Sequence, residues 1–255
     1  VREGVIDITG SNTFKNITLE KSFSDTENPE TKVCVIKDCH DSLFDNVRFI
    51  SDGYLTGATI DLQSNNHRIN FQNCYSKLRC IDGNGDNARG GLWIRERDNG
   101  DTTSNISFDN CYIENTSLDE AVAVWNWRGV VKDVSFTNCF IYGTEDNTAP
   151  HFVTMECDNL KVDNCTFIDL GVNTSLGNNK IGSIIRGSES GTQKSYFNNC
   201  IFKVNATLAN GFSTNNLAYF NNCYFENTLQ SSLGQGTYNS CKIVCAECTL
   251  GSAVC

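Results

Sequence analysis

The chain has 255 residues and a formal net charge of -10, from 30 acidic and 20 basic side chains. This charge repels phosphate backbones at long range and therefore argues against nucleic acid as a partner. The sequence contains no apolar run long enough to predict membrane insertion, and no linker or charge block divides it, which favours a single domain over residues 1–255.

One short motif recurs along the chain: an apolar residue, any residue, Asn, Cys or an aliphatic residue, any residue, and a second apolar residue. Its copies lie at residues 14–19, 44–49, 71–75, 108–113, 136–141, 162–167, 197–202 and 220–225, with a degraded copy at 238–243. The apolar residues flank the Asn, as two short strands meeting at a bend require, and do not recur at helical spacing. Because Asn tolerates the left-handed backbone conformation, the motif predicts a bend at each Asn.

The spacing of these Asn positions varies from 18 to 37 residues. A solenoid absorbs such variation, since extra residues leave through loops while the strands keep their stacking. The sequence therefore predicts an all-β fold: a right-handed parallel β-helix of roughly nine or ten coils, in which the Asn side chains form a ladder.

Fourteen cysteines are present, and six of them occupy the same position of the motif, directly after its Asn. These six are Cys74, Cys111, Cys139, Cys165, Cys200 and Cys223. The equivalent position in the early copies holds Ile17 and Val47, so we predict an interior stack of free thiols beside the Phe stack. Disulfides between some of them, or a bound metal, are the alternatives.

The last four cysteines, at 241, 245, 248 and 255, lack the two close pairs typical of a zinc site. We therefore predict an irregular terminal coil over residues 241–255, with no metal and no cofactor. Because the chain begins with Val1 and enters directly into patterned residues, we expect it to be a fragment of a larger protein or a processed chain.

A second strand precedes each motif copy, and these strands stack into another sheet. They lie at residues 33–37, 58–63, 92–97, 122–128, 151–156 and 183–186. Alternation places their aliphatic residues inward and predicts one outward column. The column consists of Lys37, Gln63, Arg95, Glu156 and Arg186.

All three tryptophans of the chain fall in the central coils of this second sheet. Exposed Trp rings stack against sugars, and Arg side chains bind hydroxyls and carboxylates. We therefore predict a substrate-binding surface there, consisting of Trp93, Arg95, Trp125, Trp127, Arg128, His151 and Arg186. The alternative is that the tryptophans cover the sheet beneath a loop and that the charged residues form a solvated ion-pair cluster.

The repeat resembles that of the pectate-lyase-like superfamily of parallel β-helices, which includes polysaccharide lyases, polygalacturonase-type hydrolases and bacteriophage tailspike depolymerases. The resemblance extends from about Phe14 to Ile243 and rests on the Asn bends with inner Cys and Phe. It implies a polysaccharide ligand, and the tailspike members imply a homotrimer.

Hydrolysis of a glycosidic bond requires two carboxyl groups. The central coils offer Glu96, Glu156, Asp119 and Glu120 as catalytic candidates. Glu96 and Glu156 occupy comparable strand positions two coils apart, which predicts a separation of roughly 10 Å and an inverting geometry. A lyase is the alternative, with an Arg neutralising the enolate.

These features lead to one hypothesis and two alternatives. The chain is expected to be the body of a phage tail spike or fibre, assembled in the host cytoplasm and placed on the virion tail, that binds and cleaves a bacterial surface polysaccharide. We keep open whether it is an enzyme, with hydrolysis favoured over elimination. The alternatives are a secreted bacterial lyase or hydrolase, and a non-catalytic adhesive or structural β-helix.

Overall fold

The computed structural model describes seventeen segments of the chain, and these consist of β-strands joined by turns. The segments are residues 6–22, 33–53, 58–80, 91–96, 100–115, 122–125, 130–143, 151–155, 157–169, 183–187, 194–204, 212–213, 217–227, 231–233, 236–245, 248–250 and 253–254. No helix occurs among them, and none of these segments provides a helix capable of crossing a membrane.

The strands in chain order are β1 (Ile6–Gly10), β2 (Thr13–Lys15), β3 (Thr18–Ser22), β4 (Cys34–Asp45), β5 (Arg48–Gly53), β6 (Ile60–Gln63), β7 (His67–Gln72), β8 (Tyr75–Cys80), β9 (Leu92–Arg95), β10 (Thr102–Asp109), β11 (Tyr112–Asn115), β12 (Val122–Trp125), β13 (Val130–Thr137), β14 (Phe140–Gly143), β15 (His151–Met155), β16 (Leu160–Asp163), β17 (Thr166–Asp169), β18 (Ser183–Gly187), β19 (Lys194–Asn198), β20 (Ile201–Val204), β21 (Phe212–Ser213), β22 (Leu217–Asn221), β23 (Tyr224–Asn227), β24 (Ser231–Leu233), β25 (Gly236–Asn239), β26 (Lys242–Cys245), β27 (Cys248–Leu250) and β28 (Ala253–Val254).

Each strand pairs in parallel with the equivalent strand one coil away. Sheet A contains β1, the first half of β4, β6, β9, β12, β15, β18 and β21. Sheet B contains β2, the second half of β4, β7, β10, β13, β16, β19, β22, β25 and β28. Sheet C runs from β3 to β26 through β5, β8, β11, β14, β17, β20 and β23. From β1 to β23 the chain passes from A to B to C in each coil, and β24 and β27 form a separate parallel pair in the last coils. This order confirms the predicted parallel β-helix.

Most motif copies open with a Phe residue that points into the solenoid, and these rings stack on one another in successive coils. Ring centroids are 5.1 Å apart between Phe14 and Phe44, 4.6 Å between Phe44 and Phe71, 4.6 Å between Phe71 and Phe108 and 4.8 Å between Phe108 and Phe136. These spacings match the distance between hydrogen-bonded strands, because each ring belongs to the next coil. The predicted Phe stack is therefore confirmed, and it forms the core on sheet B.

The motif cysteines form a second interior column beside these rings. From Cys74 to Cys223 their side chains are buried, and every cysteine whose side chain the structure describes is a free thiol. The Sγ atoms donate to main-chain carbonyls, as from Cys111 to Phe71 O at 3.5 Å. The predicted thiol stack is confirmed over these coils, and the thiols act there as small apolar residues.

The bend at each motif Asn has a positive φ, between 53° and 56° from Asn16 to Asn222. Two direct rungs have the geometry of the predicted ladder: Asn46 Nδ2 donates to Asn16 Oδ1 at 2.8 Å, and Asn110 Nδ2 donates to Asn73 Oδ1 at 2.7 Å. Other rungs pass through the residue before the bend, as from Asn138 to Asp109 at 3.3 Å. The predicted ladder is therefore present, but its hydrogen bonds involve two adjacent columns: the motif Asn residues and the residues directly before them.

A second column of left-handed bends interrupts the strands of sheet B near their starts, and the sequence reasoning did not predict it. Its members with positive φ are Asp41, Arg68, Asn105, Asp133 and Asn159. They also form rungs, since Arg68 Nη2 donates to Asp41 Oδ2 at 2.9 Å and Asn159 Nδ2 donates to Asp133 Oδ1 at 2.6 Å. This column therefore bends the strands of sheet B at the same place in successive coils.

Candidate polysaccharide-binding face

The predicted substrate-binding residues lie on sheet A, and the register of that sheet fixes which of them share a face. Leu92, Ile94, Val122 and Val124 are buried in the core. The alternate positions on β6 and β9 therefore face outward. In register with them, the backbone forms two columns: one with Asp61, Trp93, Ala123, Thr154 and Arg186, and one with Lys37, Gln63, Arg95 and Trp125.

This register corrects the predicted column. Arg186 pairs with Thr154 and so falls in the column of Trp93, beside the one that contains Lys37 and Arg95. The predicted column contained no residue of β12, but the backbone of Trp125 pairs with Arg95 and so belongs to the column of Lys37 and Arg95. Loops of unequal length connect these strands, and a shift of pairing cannot be deduced from alternation within one strand.

Four of the outward residues on β6 and β9 form a connected polar cluster, which we call the Arg95 cluster: Asp61, Gln63, Trp93 and Arg95. The Arg95 guanidinium donates to both carboxylate oxygens of Asp61, with Nε to Oδ1 at 3.0 Å and Nη2 to Oδ2 at 2.7 Å. Gln63 Nε2 also donates to Asp61 Oδ2. Arg95 Cζ lies 4.3 Å from the centre of the Trp93 ring, so the cation is held between a carboxylate and an aromatic face.

The cluster is buried although it lies on the outer face of the sheet. Trp93 is 4% exposed, Arg95 7% and Asp61 0%. Trp93 packs with Ala58 in a small apolar cluster that is separate from the main core. The expectation of an exposed Trp93 ring is therefore wrong in this chain, because Arg95 occupies a face on which a sugar ring would stack. The finding favours the alternative in which Trp93 covers the sheet.

Glu96, a predicted catalytic residue, directly follows β9 and is also 0% exposed. Its Oε1 accepts a hydrogen bond from the backbone N–H of Asn65, one coil away, at 3.2 Å. The other three catalytic candidates, Asp119, Glu120 and Glu156, lie outside the described residues. The predicted separation of Glu96 and Glu156 therefore stays a prediction.

The remaining predicted binding residues are placed only in part. The backbones of Trp125, His151 and Arg186 belong to β12, β15 and β18 of sheet A, and their side chains are outside the description. Trp127 and Arg128 lie outside the described residues. Among the residues that are described, no group of three His, Cys, Asp or Glu side chains could hold a metal ion.

A row of aromatic side chains on the outer face of sheet C was missed by the sequence reasoning. Ring centroids are 5.4 Å apart between Tyr75 and Tyr112 and 5.0 Å between Tyr112 and Phe140, and Arg48 lies 4.9 Å from the Tyr75 ring centre. The position directly after the motif Cys would have revealed the row. Its ring faces cover one another, so it presents ring edges outward and is a poor platform for sugars.

No family model and no curated protein matches the sequence. Solved structures with a similar backbone include the tailspike protein gp49 from Acinetobacter baumannii bacteriophage Fri1, a capsular polysaccharide depolymerase, at 15% identity and a TM-score of 0.41, over 88% of this chain and 46% of that one. ORF18 of Geobacillus virus E2 has 13% identity and a TM-score of 0.41, over 92% of this chain and 46% of that one.

The catalytic domain of a GH87 alpha-1,3-glucanase in complex with tetrasaccharides is similar at 10% identity and a TM-score of 0.40, over 94% of this chain and 54% of that one. The chain thus spans about half the length of these structures.

Proposed function

We propose that the chain is the body of a bacteriophage tail spike that binds a bacterial surface polysaccharide on the outer face of sheet A, around β6, β9, β12, β15 and β18. The observation that carries the proposal is the Arg95 cluster, in which a buried Arg is held between a carboxylate and a Trp ring. In the same sheet the backbone of Trp125 pairs with that of Arg95, and the backbone of Arg186 pairs with that of Thr154.

Stability alone is a weak explanation for the Arg95 cluster. A buried ion pair stabilises a fold little more than apolar residues of the same size, because both charges lose their hydration. The interior of the solenoid is already filled by Phe, Cys and aliphatic side chains. A buried Asp61–Arg95 pair on the outside of a sheet is therefore better explained by a need to orient a guanidinium than by stability.

The guanidinium retains donors for a ligand. Nε and Nη2 of Arg95 donate to Asp61, and within the described residues Nη1 makes no hydrogen bond. Nη1 can donate to a sugar hydroxyl or carboxylate, while Asp61 and Trp93 fix the orientation of the group. Asp61 is accordingly a positioning residue in this proposal.

The binding test compares the same conservative change at two Arg–Asp pairs. Arg95→Lys keeps the charge but loses the two-point geometry, so we expect its affinity for the polysaccharide to fall about tenfold, equivalent to about 1.4 kcal/mol. Arg68→Lys is the control, since the Asp41–Arg68 pair also joins adjacent coils but is exposed. Equal affinities for both variants and the parent chain would overturn this site.

We further propose that the chain cleaves the bound polysaccharide, with hydrolysis favoured over elimination. We assign the general acid and base to Glu96 with Glu156, supported by Asp119 and Glu120 from the neighbouring coil, in an inverting geometry. Glu96→Gln and Glu156→Gln should each abolish the release of reducing ends without changing the circular dichroism spectrum. Activity retained in both variants would contradict the assignment.

Binding without cleavage is the second candidate, and one observation favours it. Glu96 is fully buried, with its Oε1 held by the backbone of Asn65, whereas a catalytic carboxyl group has to reach the glycosidic oxygen. An adhesive tail fibre would bind the same polysaccharide without forming products.

We also propose that the chain forms a homotrimer on the virion tail. A solution mass three times the chain mass of 28.2 kDa, measured by analytical ultracentrifugation, would support this. A secreted bacterial hydrolase or lyase remains the alternative.

A further inference from the structure

A cleft on the outer face of sheet B lies apart from the sheet A face and is not used by the proposed function. Its volume is about 330 Å³. Its polar lining consists of Asn70, Ser107, Ser135 and Lys161 from four successive coils, with Asn105, Asp133 and Asn159 along one side. Four strands at the usual spacing make it roughly 14 Å long.

The lining consists of the groups that bind sugar hydroxyls. Two hydrogen-bonded pairs orient the donors and acceptors: Ser107 Oγ with Asn70 Oδ1 at 2.6 Å, and Asn159 Nδ2 with Asp133 Oδ1 at 2.6 Å. Each amide and carboxylate has further lone pairs or N–H groups, since these side chains can make several hydrogen bonds. Such groups suit a ligand with many hydroxyls on a small ring.

The backbone holds one side of the cleft in place. Asn105, Asp133 and Asn159 all have positive φ, between 54° and 57°, and the Asp133 N–H donates to Asp158 O at 2.8 Å. A bend that is hydrogen-bonded to the next coil loses little entropy when a ligand binds, which favours affinity for small ligands.

The charges of the cleft also restrict the ligand. It carries one carboxylate, of Asp133, and one ammonium group, of Lys161. Among the described residues no carboxylate forms an ion pair with Lys161. The net charge of the chain, -10, disfavours polyphosphates, and the lining contains no aromatic ring for a base or aryl group.

We propose that the sheet B cleft is a second carbohydrate site that binds one or two pyranose units, held by Asn, Ser and Asp side chains with Lys161 at one end. The inference deepens the proposed function and rests on it for the class of ligand. Its location is independent, because the cleft shares no residue with the Arg95 cluster.

The test is an NMR titration of the isotope-labelled chain with single sugars, using the methyl glycosides of glucose, galactose, N-acetylglucosamine and rhamnose, and sodium glucuronate. We expect at least one probe to shift the amide resonances of Ser107, Ser135 and Lys161. A panel that leaves these resonances unchanged, or shifts only those of sheet A, would overturn the proposal.

Two variants test the site itself. Ser135→Leu fills the cleft at a half-buried position, so the affinity for the active probe should fall about tenfold or more. Thr237→Leu introduces the same side chain in the same outward column of sheet B but outside the cleft, and its affinity should equal that of the parent chain. Equal affinities in both variants would contradict the proposal.

The two proposals fail separately. If Arg95→Lys abolishes polysaccharide binding while the cleft resonances still shift with a single sugar, both sites stand. If the polysaccharide does not bind at all but the shifts remain, the sheet A proposal fails and the cleft remains a sugar site.

Discussion

Individual residues determine where this chain bends. The motif Asn residues hold φ near 55°, a conformation that costs other L-residues roughly 1–2 kcal/mol, and their amides join adjacent coils. The sequence predicted these bends because the Asn recurs at a fixed place between apolar residues. It did not reveal the second bend column, whose members include Asp41, Arg68 and Asp133 and share no single residue type.

We predict that Asn110→Ala lowers the free energy of unfolding by about 2 kcal/mol, because it strains the backbone and removes the rung to Asn73. Asn110→Gly loses the same rung but tolerates the conformation, so it should cost about half as much. Chemical denaturation of both variants measures the difference. Equal losses would mean that backbone strain at the bend is unimportant.

The Arg95 cluster makes a second prediction at the residue scale. Arg95→Met leaves the Asp61 carboxylate buried without its cation and should cost about 3–5 kcal/mol, whereas the double variant Asp61→Leu/Arg95→Met should recover most of that loss. Arg68→Gln, at the exposed pair with Asp41, should leave the free energy of unfolding nearly unchanged. A double variant no more stable than the single variant would contradict the view that this pair contributes little to the fold.

The interior thiols should be protected from modification. Burial raises the pKa of Cys34 to about 12, so its reactive thiolate is scarce at neutral pH. Cys165 is likewise buried, whereas Cys241 is only partly buried at the end of the column. Brief alkylation of the native protein followed by peptide mapping should label Cys241 before Cys34 and Cys165. Similar labelling of all three would contradict the thiol stack.

At the scale of the elements, equivalent residues of successive coils form columns inside and outside each sheet. The inner Phe column is continuous and dry, with ring spacings of 4.6 to 5.1 Å from Phe14 to Phe136. The outer row on sheet C has similar spacings but half-buried rings. Position relative to the core, and not ring stacking alone, should therefore decide how much each row stabilises the fold.

We expect Phe71→Ala to lower the free energy of unfolding by about 3–5 kcal/mol, since it opens a cavity between two stacked rings. Tyr112→Ala on sheet C should cost about 1 kcal/mol. Because the sheet C row presents ring edges, Tyr112→Ala should also leave polysaccharide affinity unchanged. A large loss of affinity in this variant would move the binding face from sheet A to sheet C.

The same columns explain what the sequence could and could not predict. Strands, core side chains and the motif bends follow from local patterns that repeat in each coil. The register across long loops does not, and for this reason Arg186 lies beside the column in which it was expected. The burial of Arg95 was also hidden, because its partner Asp61 is 34 residues away in the chain and one coil away in space.

At the scale of the molecule, the solenoid presents three long faces with different properties. Sheet A carries the buried Arg95 cluster, sheet B carries a polar cleft, and sheet C carries a row of aromatic edges. The function we propose for this molecule is the binding of a bacterial surface polysaccharide. Regularly spaced strands suit this role, since a polymer can contact several coils along one face.

The most direct test incubates the purified chain with a panel of bacterial capsular polysaccharides, lipopolysaccharides and plant polysaccharides, and follows binding, new reducing ends and unsaturated-sugar absorbance together. We predict that a bacterial glycan binds and that reducing ends appear without unsaturated products, as hydrolysis requires. Reducing ends together with unsaturated products would replace hydrolysis with elimination, and binding without products would support the adhesive role. The absence of binding to any bacterial glycan across a broad panel would contradict the proposed function.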